Sequence, residues 1–257
     1  MLHAVDGLER SWDGGGLGGG SMEGRLEAVG PAYLADHEVV NRSGLGGGGV
    51  GWGLRRRVGW LAPARLYRVD EVGRDWLDER WGYPELSRRL KVWALTEDGR
   101  EHEAFTYSLR AAEVVGAEGA GGEAAGAVTD GLFAYGTLMQ GECRHWLVEQ
   151  LGLIEVVPAR VPGILMDLGR YPGLRLAEGA SDWVEGELLR LSDPEAALSE
   201  LDDVEGFKGH GEDGSLYRRA LVRAWDRSGA AHLAWVYIYV DDCTGAARIE
   251  SGNWRRR

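Results

Sequence analysis

The chain has few cysteines and no clustered histidines, and these absences exclude two kinds of structural site. Of its 257 residues only Cys143 and Cys243 are cysteines, and they form no C-x-x-C pair. Its six histidines are scattered without the H-x-x-x-H or H-E-x-x-H spacing of a zinc site. The sequence therefore signals neither a disulfide framework nor a bound zinc ion, and a reducing compartment is the default expectation.

The chain also lacks long apolar runs and an excess of basic residues. No run approaches the roughly 20 apolar residues needed to cross a bilayer, and the N-terminus has no signal-peptide pattern. With 29 Lys and Arg against 41 Asp and Glu, the net charge is -12. Because nucleic acids and anionic lipids are bound through basic patches, we expect neither as a partner. We expect a cytoplasmic protein that binds a small molecule.

Hydrophobic residues make up 44% of the chain, which is enough for a sizeable core. Between residues 110 and 130 the composition changes to Ala, Gly and Glu, with no aromatic residue and no periodicity. This composition is typical of a solvated linker. We therefore predict a first domain over residues 1–110, a linker over 111–130, a second domain over 131–245 and a polar C-terminal tail over 246–257.

Each half contains a predicted helix between predicted strands. Asp70 is a candidate N-cap ahead of apolar residues on one helical face, and Pro194 suits the first turn after Asp193. The second helix leads into Glu205-Gly206, so Glu205 should lie where that helix ends. Strands are predicted at 64–69, 90–95 and 103–109 in the first half and at 132–135, 154–164, 183–191, 217–224 and 233–240 in the second.

The two halves repeat one another in order. Four segments align at offsets of 122 to 130 residues: Leu2–Leu8 with Leu132–Leu138, Ala64–Val69 with Gly186–Leu191, Leu77–Gly82 with Leu201–Gly206, and Ala104–Tyr107 with Ala234–Tyr237. Four matches in register indicate an internal duplication. At the aligned positions the first copy has Asp6 and Trp81 where the second has Gly136 and Glu205, and Ser87 lies roughly at the place of Tyr217. We predict that the first copy is chemically inactive.

A set of motifs within residues 131–240 carries a family resemblance. In chain order these are Tyr135-Gly136-Thr137-Leu138, Gly169-x-Tyr171-Pro172-Gly173, Val184-x-Gly186-Glu187-Leu188, Leu201-Asp202-x-x-Glu205-Gly206 and Tyr217-x-Arg219. Together they resemble the gamma-glutamylcyclotransferase-like family. The resemblance implies an α+β fold of two tandem domains of this type, each a small mixed β-barrel with flanking helices. The first of the two would be degenerate.

The resemblance also implies an activity of the acyltransferase or lyase type. It implies release of 5-oxoproline from a gamma-glutamyl amine or amino acid, with no metal and no cofactor. It further implies that the turn of Tyr135, Gly136, Thr137 and Leu138 holds the glutamyl head group and that Glu205 is the general acid/base.

The chemistry of ring closure suits these residue types. The α-amino group must lose a proton to attack its own gamma-carbonyl, and the departing amine must gain one, so one carboxylate can serve both nitrogens. The charge that develops on the gamma-oxygen requires fixed donors, which backbone N–H groups of a glycine turn supply. Gly136 would allow close approach or a positive φ. Tyr217 could donate to Glu205 or to substrate, and Arg218 or Arg219 is available for an α-carboxylate.

Other interpretations stay open at this point. Glu205 taken alone would be a solvated carboxylate, Tyr217 suits a core as well as a site, and Asp202 and Asp203 are predicted to be a cap or surface charges. A non-catalytic gamma-glutamyl ligand-binding or scaffold protein is the alternative function. An enzyme that removes gamma-glutamyl groups from a larger metabolite by the same cyclisation is a third. The two halves could also pack as an intramolecular pseudo-dimer.

Overall fold

The computed structural model describes residues 2–6, 26–45, 49–109, 127–176 and 182–257. The chain divides into two compact units, one of Met1–Leu95 with His102–Ala127 and one of Thr96–Glu101 with Val128–Arg257. Most of the predicted linker at 111–130 lies outside the described residues. Within the described ranges, the helices are all too short or too polar to cross a membrane.

The first unit is a ring of strands with one helix. Its elements in chain order are β1 (Leu2–Asp6), β2 (Leu26–Leu45), β3 (Gly49–Val69), α1 (Glu71–Arg80), β4 (Ser87–Leu95), β5 (Glu101–Leu109) and β6 (Ala127–Val128). Five strands pair in the order β1-β5-β4-β2-β3, and β1 also pairs with β3, which closes the ring. The buried core includes Leu34, Leu66 and Val92. The predicted N-cap of α1 is confirmed, since the Asp70 carboxylate accepts a hydrogen bond from the Gly73 N–H at 2.7 Å.

The second unit is a closed barrel with a small additional sheet. Its elements are β7 (Gly131–Ala134), α2 (His145–Gln150), β8 (Leu153–Pro162), β9 (Ile164–Asp167), β10 (Pro172–Arg175), β11 (Trp183–Leu191), α3 (Pro194–Glu205), β12 (Tyr217–Asp226), β13 (Ala231–Tyr239), β14 (Ala247–Arg248) and a 3-10 helix (Trp254–Arg256). The barrel order is β11-β7-β13-β12-β8, and β10, β9 and β14 form the small sheet. Phe133, Leu188 and Trp235 are buried in this unit.

Helix α3 follows the sequence signals at both ends. The Asp193 carboxylate accepts a hydrogen bond from the Ala196 N–H, and Pro194 occupies the first turn, where its missing N–H costs nothing. Ala197, Leu198, Leu201 and Glu205 are buried along one face. The helix ends at Glu205 because Gly206 adopts the left-handed conformation, with φ 66°. The predicted position of Glu205 at the helix end is confirmed.

The two rings have the same cyclic strand order. If β1, β2, β3, β4 and β5 are placed against β7, β8, β11, β12 and β13, every neighbour in one ring has its counterpart in the other. Strand β1 is antiparallel to β3 and parallel to β5, just as β7 is antiparallel to β11 and parallel to β13. The helix lies between the third and fourth ring strands in both units. This pairing of elements is also the order of the sequence repeat.

The predicted polar tail at 246–257 was wrong, because this segment is folded onto the second unit. Strand β14 pairs with β9, and Ile249 and Trp254 are buried. The Glu185 N–H donates to the Gly252 carbonyl at 2.8 Å. The two apolar anchors are separated by polar and charged residues, so the segment has no hydrophobic period to reveal it.

Candidate active site

A cavity of about 80 Å³ lies in the second unit, between the turn after β7 and the end of α3. Its lining includes all of the predicted site residues, namely Tyr135, Gly136, Thr137, Leu138, Glu205 and Tyr217. It also includes residues that the sequence analysis did not assign to the site, among them Arg144, Pro172 and Tyr237. The barrel thus brings together residues that are more than 80 positions apart in the chain.

Glu205 is a buried carboxylate at the C-terminal end of α3, with only 8% of its surface exposed. Burial raises its pKa to about 7, because the charged form loses its hydration, and the positive charge of Arg144 acts in the opposite direction. Within the described part of the chain its carboxylate forms no hydrogen bond or salt bridge. A carboxyl group in this state can both accept and donate a proton near neutral pH.

Tyr135 ties the turn after β7 to two strands of the same unit. Its hydroxyl donates to the Tyr237 carbonyl of β13 at 2.6 Å and accepts from the Leu174 N–H of β10 at 3.3 Å. Burial raises the pKa of Tyr135 well above its ordinary value, so its hydroxyl keeps its proton. Tyr135 is therefore an anchor of the turn.

Position 136 requires glycine because a side chain does not fit there. A Cβ atom at this position would lie 2.5 Å from Cγ and 2.8 Å from Cδ of Pro172. Its φ is not in the positive range, so the prediction that a positive φ could explain this glycine was wrong. The reason is steric, and the neighbour that a side chain would meet is the Pro172 ring.

The peptide group between Thr137 and Leu138 is oriented by the start of α2. The Arg144 N–H donates to the Thr137 carbonyl at 2.9 Å, and the ring Nδ1 of His145 lies 2.9 Å from the Leu138 carbonyl. Because C=O and N–H point in opposite directions across a trans peptide, the Leu138 N–H is directed away from α2. Among the described residues, the N–H groups of Thr137 and Leu138 have no acceptor. The turn therefore offers free donors beside the cavity.

One sequence hypothesis proposed a hydrogen bond from Tyr217 to Glu205, and the structure does not contain this bond. Its hydroxyl donates to the Pro172 carbonyl at 2.8 Å, and its ring packs edge-on against Tyr171 and Tyr239. Burial, followed by the charge of Glu205, raises its pKa above the ordinary value. Tyr217 thus forms a wall of the cavity and holds Pro172 against Gly136.

Arg219 and Asp202 have structural roles that differ from their predicted ones. Arg219 is fully buried between the rings of Phe207 and Trp235 and pairs with Asp202 at 3.0 Å. The Asp202 carboxylate also accepts from the Tyr237 hydroxyl at 2.7 Å, so it is neither a cap nor a surface charge. Asp203 is exposed, as predicted.

The cation at the cavity is Arg144, and neither Arg218 nor Arg219 is among the described residues that line it. The prediction that one of these two arginines faces the site was therefore wrong. Alternation along β12 points Arg219 inward with Tyr217, but its charge is already taken up by Asp202. The sequence signal for Arg144 was its place directly between the glycine turn and a helix.

The first unit contains the same arrangement of Asp, Arg and Tyr, but it has no carboxylate at the position that aligns with Glu205. Asp78 pairs with Arg89 at 2.9 Å and accepts from the Tyr107 hydroxyl at 2.6 Å. These three residues align with Asp202, Arg219 and Tyr237 in the sequence repeat. At the position that aligns with Glu205, Trp81 stacks on Tyr107 with ring centroids 5.9 Å apart.

Comparisons with known proteins give one consistent result. Residues 132–256 match the family described as gamma-glutamyl cyclotransferase, AIG2-like. A gamma-L-glutamyl-butirosin B gamma-glutamyl cyclotransferase of Niallia circulans is 36% identical over 112 residues, which are 43% of this chain and 67% of that protein. A putative gamma-glutamylcyclotransferase of Vibrio cholerae is 32% identical over 126 residues, which are 49% of this chain and 96% of that protein. A crystal structure of an AIG2-like protein from Mus musculus is similar at 22% identity and a TM-score of 0.39, over 47% of this chain and 86% of that one.

Proposed function

Since this chain belongs to the gamma-glutamylcyclotransferase family, we propose that its second unit releases 5-oxoproline from a gamma-glutamyl amine or amino acid, with Glu205 as the general acid/base. The observation that carries the proposal is the geometry of one cavity. A buried carboxylate with a pKa of about 7 shares that cavity with a turn in which the N–H groups of Thr137 and Leu138 have no acceptor among the described residues. These are the two kinds of group that the cyclisation requires.

In the first step Glu205 takes a proton from the α-ammonium group of the substrate. The α-amino nitrogen then attacks the gamma-carbonyl carbon, which forms the new C–N bond of the five-membered ring and moves charge onto the gamma-oxygen. In this mechanism the N–H groups of Thr137 and Leu138 donate to the gamma-oxygen and stabilise this charge. Glu205 next gives its proton to the departing nitrogen, and the original C–N bond breaks. The ring nitrogen loses its second proton to the same carboxylate, which passes that proton to the released amine. The products are 5-oxoproline and a free amine, and no water is consumed.

The pKa of Glu205 matters because a proton carrier works best when its pKa is near the working pH. Such general acid/base assistance contributes roughly 10²- to 10⁴-fold to the rate. Each fixed donor to a developing oxyanion contributes about 10²- to 10³-fold. The walls formed by Tyr135, Tyr217 and Pro172 hold the flexible glutamyl chain in its ring-closing conformation, which recovers part of the orientational entropy.

We also propose that the first unit is a degenerate tandem copy of the same domain. Two independent features support this, namely the shared cyclic strand order and the matched ion pairs of Asp78 and Asp202. Trp81 replaces the carboxylate, so the copy lacks the proton carrier. The proposed domains remain those at 1–110 and 131–245, with the second extended through Trp254.

The relative from Niallia circulans is named for a gamma-glutamylated butirosin. That name is a specific reason to test the third hypothesis, which is removal of a gamma-glutamyl group from a larger metabolite. The reaction at Glu205 would be the same, and only the departing amine would differ. Substrate screening should therefore include gamma-glutamyl amines of increasing size.

The test is a screen of gamma-glutamyl amines, gamma-glutamyl dipeptides and glutathione with 5-oxoproline as the readout. We expect turnover by the wild-type protein and a loss of at least about 10²-fold in Glu205→Gln, with an unchanged circular dichroism spectrum. Glu200→Gln is the matched control, because Glu200 is an exposed glutamate on the same helix. Unchanged turnover in Glu205→Gln would reject the mechanism. Calorimetric binding of a gamma-glutamyl compound without product would favour the ligand-binding alternative.

A further inference from the structure

Arg144 has the charge and the position to contact a bound substrate. Among the described residues that line the cavity, it is the single Arg, Lys or His. It forms no hydrogen bond or salt bridge through its side chain in the part of the chain that the structure describes. Other arginines of this unit are paired, such as Arg190 with Asp130 and Arg248 with Asp182. Among the described residues that line this cavity, Arg144 therefore supplies the positive charge, on a protein of net charge -12.

The exposure of the residues that line the cavity indicates how a substrate is oriented in it. Glu205, Tyr135 and Tyr217 are each less than a tenth exposed, whereas Arg144 is exposed. The cyclisation places both reacting nitrogens at Glu205, so the glutamyl part occupies the buried region. Whatever is attached to the departing nitrogen must extend towards the exposed residues, and Arg144 is the charged one among them. The charge of Arg144 reaches Glu205 and Tyr217, where it partly offsets the rise in pKa that burial causes in each.

A guanidinium at this place distinguishes the possible departing amines by charge. In a gamma-glutamyl amino acid, a carboxylate is attached one carbon away from the departing nitrogen. Arginine matches a carboxylate with two parallel N–H donors, and such charge-assisted bonds are stronger than neutral ones. A neutral amide in the same place accepts a weaker bond, and a cationic amine is repelled.

We propose that Arg144 binds a carboxylate on the departing amine and thereby selects gamma-glutamyl amino acids and peptides over uncharged or cationic gamma-glutamyl amines. This assignment rests on the proposed cyclotransferase activity. It names the substrate class of the site and makes Arg144 a specificity-determining residue.

The experiment compares gamma-glutamyl-L-alanine with gamma-glutamyl-L-alaninamide, which differ only in the charge of the departing amine. For the wild-type protein we expect kcat/KM to be about tenfold higher with the carboxylate, the difference that a charge-assisted hydrogen bond of moderate strength gives. Arg144→Gln should lower kcat/KM for gamma-glutamyl-L-alanine by about tenfold and leave the amide within about twofold. Arg144→Lys should recover part of the preference, because it keeps the charge without the paired donors.

Arg227→Gln is the control for net charge, because Arg227 is exposed in the turn between β12 and β13 and does not line this cavity. An equal loss on both substrates in Arg144→Gln would overturn the assignment, because both substrates carry the α-carboxylate of the glutamyl group. Equal turnover of both substrates by the wild-type protein would also overturn it. Absence of 5-oxoproline from both substrates with the wild-type protein would overturn the assignment, and its absence across the whole screen of gamma-glutamyl compounds would reject the proposed function as well.

Discussion

The carboxylate of Asp202 lies 3.0 Å from the guanidinium of Arg219, and the Arg219 side chain is only 1% exposed. Asp202 is on α3, three residues before Glu205, so this pair fixes the end of the helix that carries the proposed proton carrier. The rings of Phe207 and Trp235 enclose the guanidinium on two sides. A buried arginine of this kind depends on its carboxylate partner.

Replacing Asp202 by Asn should therefore destabilise the second unit. Removing one partner of a buried ion pair leaves an uncompensated charge, and we expect the free energy of unfolding to fall by about 3 kcal/mol. Urea unfolding at pH 7 measures this change. Asp203→Asn is the control, since Asp203 is the exposed neighbour on the same helix, and it should change stability by less than about 0.5 kcal/mol. Equal effects of the two substitutions would contradict the structural role of the pair.

The activity should depend on the ionisation of Glu205. Only the carboxylate form can take a proton from the substrate, and burial raises its pKa to about 7. We expect kcat/KM to increase as the pH rises through about 7 and to level off above it. A pH profile with 5-oxoproline as the readout measures this. A profile already level from pH 5 upward would show that Glu205 ionises as a solvated glutamate does.

The same pKa shift predicts a pH-dependent stability. Between pH 4.5 and about 7 the folded protein keeps a proton on Glu205 that the unfolded chain has released. The free energy of unfolding therefore falls as the pH rises across this window, by up to about 3 kcal/mol from this group. Glu205→Gln has no charge to bury, so it should be more stable than the wild-type protein at pH 8. Denaturant unfolding of both proteins at pH 5 and pH 8 isolates the contribution.

Gly136→Ala should disturb the turn through Pro172. The added Cβ would lie 2.5 Å from Cγ of that ring, so the turn or β10 must move. A displacement of about 1 Å at a catalytic site can cost about 10²-fold, and we expect a loss of that order in kcat/KM. Adding Pro172→Ala removes the clashing ring atoms and should restore part of the activity. If the single variant keeps full activity, the close packing of Gly136 is not needed for turnover.

Tyr107→Phe and Tyr237→Phe form a matched pair across the two units. Each removes a hydroxyl that donates to an aspartate, at 2.6 Å to Asp78 and at 2.7 Å to Asp202. Each should lower the free energy of unfolding by about 1 to 2 kcal/mol, because a hydrogen bond to a charged group is lost. Turnover should fall only in Tyr237→Phe, since Tyr237 lines the cavity. A loss of turnover in Tyr107→Phe would mean that the first unit contributes to the activity.

The elements that the sequence predicted well are those with local signals. Asp70 and Asp193 are N-caps in the structure, and Gly206 ends α3, because capping depends on residues only a few positions away. The grouping of Tyr135 with Glu205 came from motifs and not from local chemistry. The barrel places the two in one cavity, as the motifs implied.

The features that the sequence did not reveal depend on contacts between distant residues. Whether Arg219 faces substrate or an internal partner depends on where Asp202 lies when α3 packs on β12, and no local pattern encodes that. Arg144 was missed because it belongs to no motif, and its proposed role depends on the folded unit, where its side chain has no hydrogen-bond or ion-pair partner among the described residues. Trp254 was assigned to a tail because its neighbours in sequence are polar, whereas its side chain is buried in the folded unit.

The pair of Asp78 and Arg89 distinguishes selection for folding from selection for turnover. In the first unit this pair and its tyrosine lie beside Trp81, which aligns with Glu205 and has no carboxylate to carry a proton. Under the proposed duplication, an arrangement that is retained without the reactive group is kept for the folding of the unit. Among relatives of this chain, the aspartate and arginine should then vary together as a stability requirement, while the residue at the end of the helix is free to change wherever turnover is no longer selected.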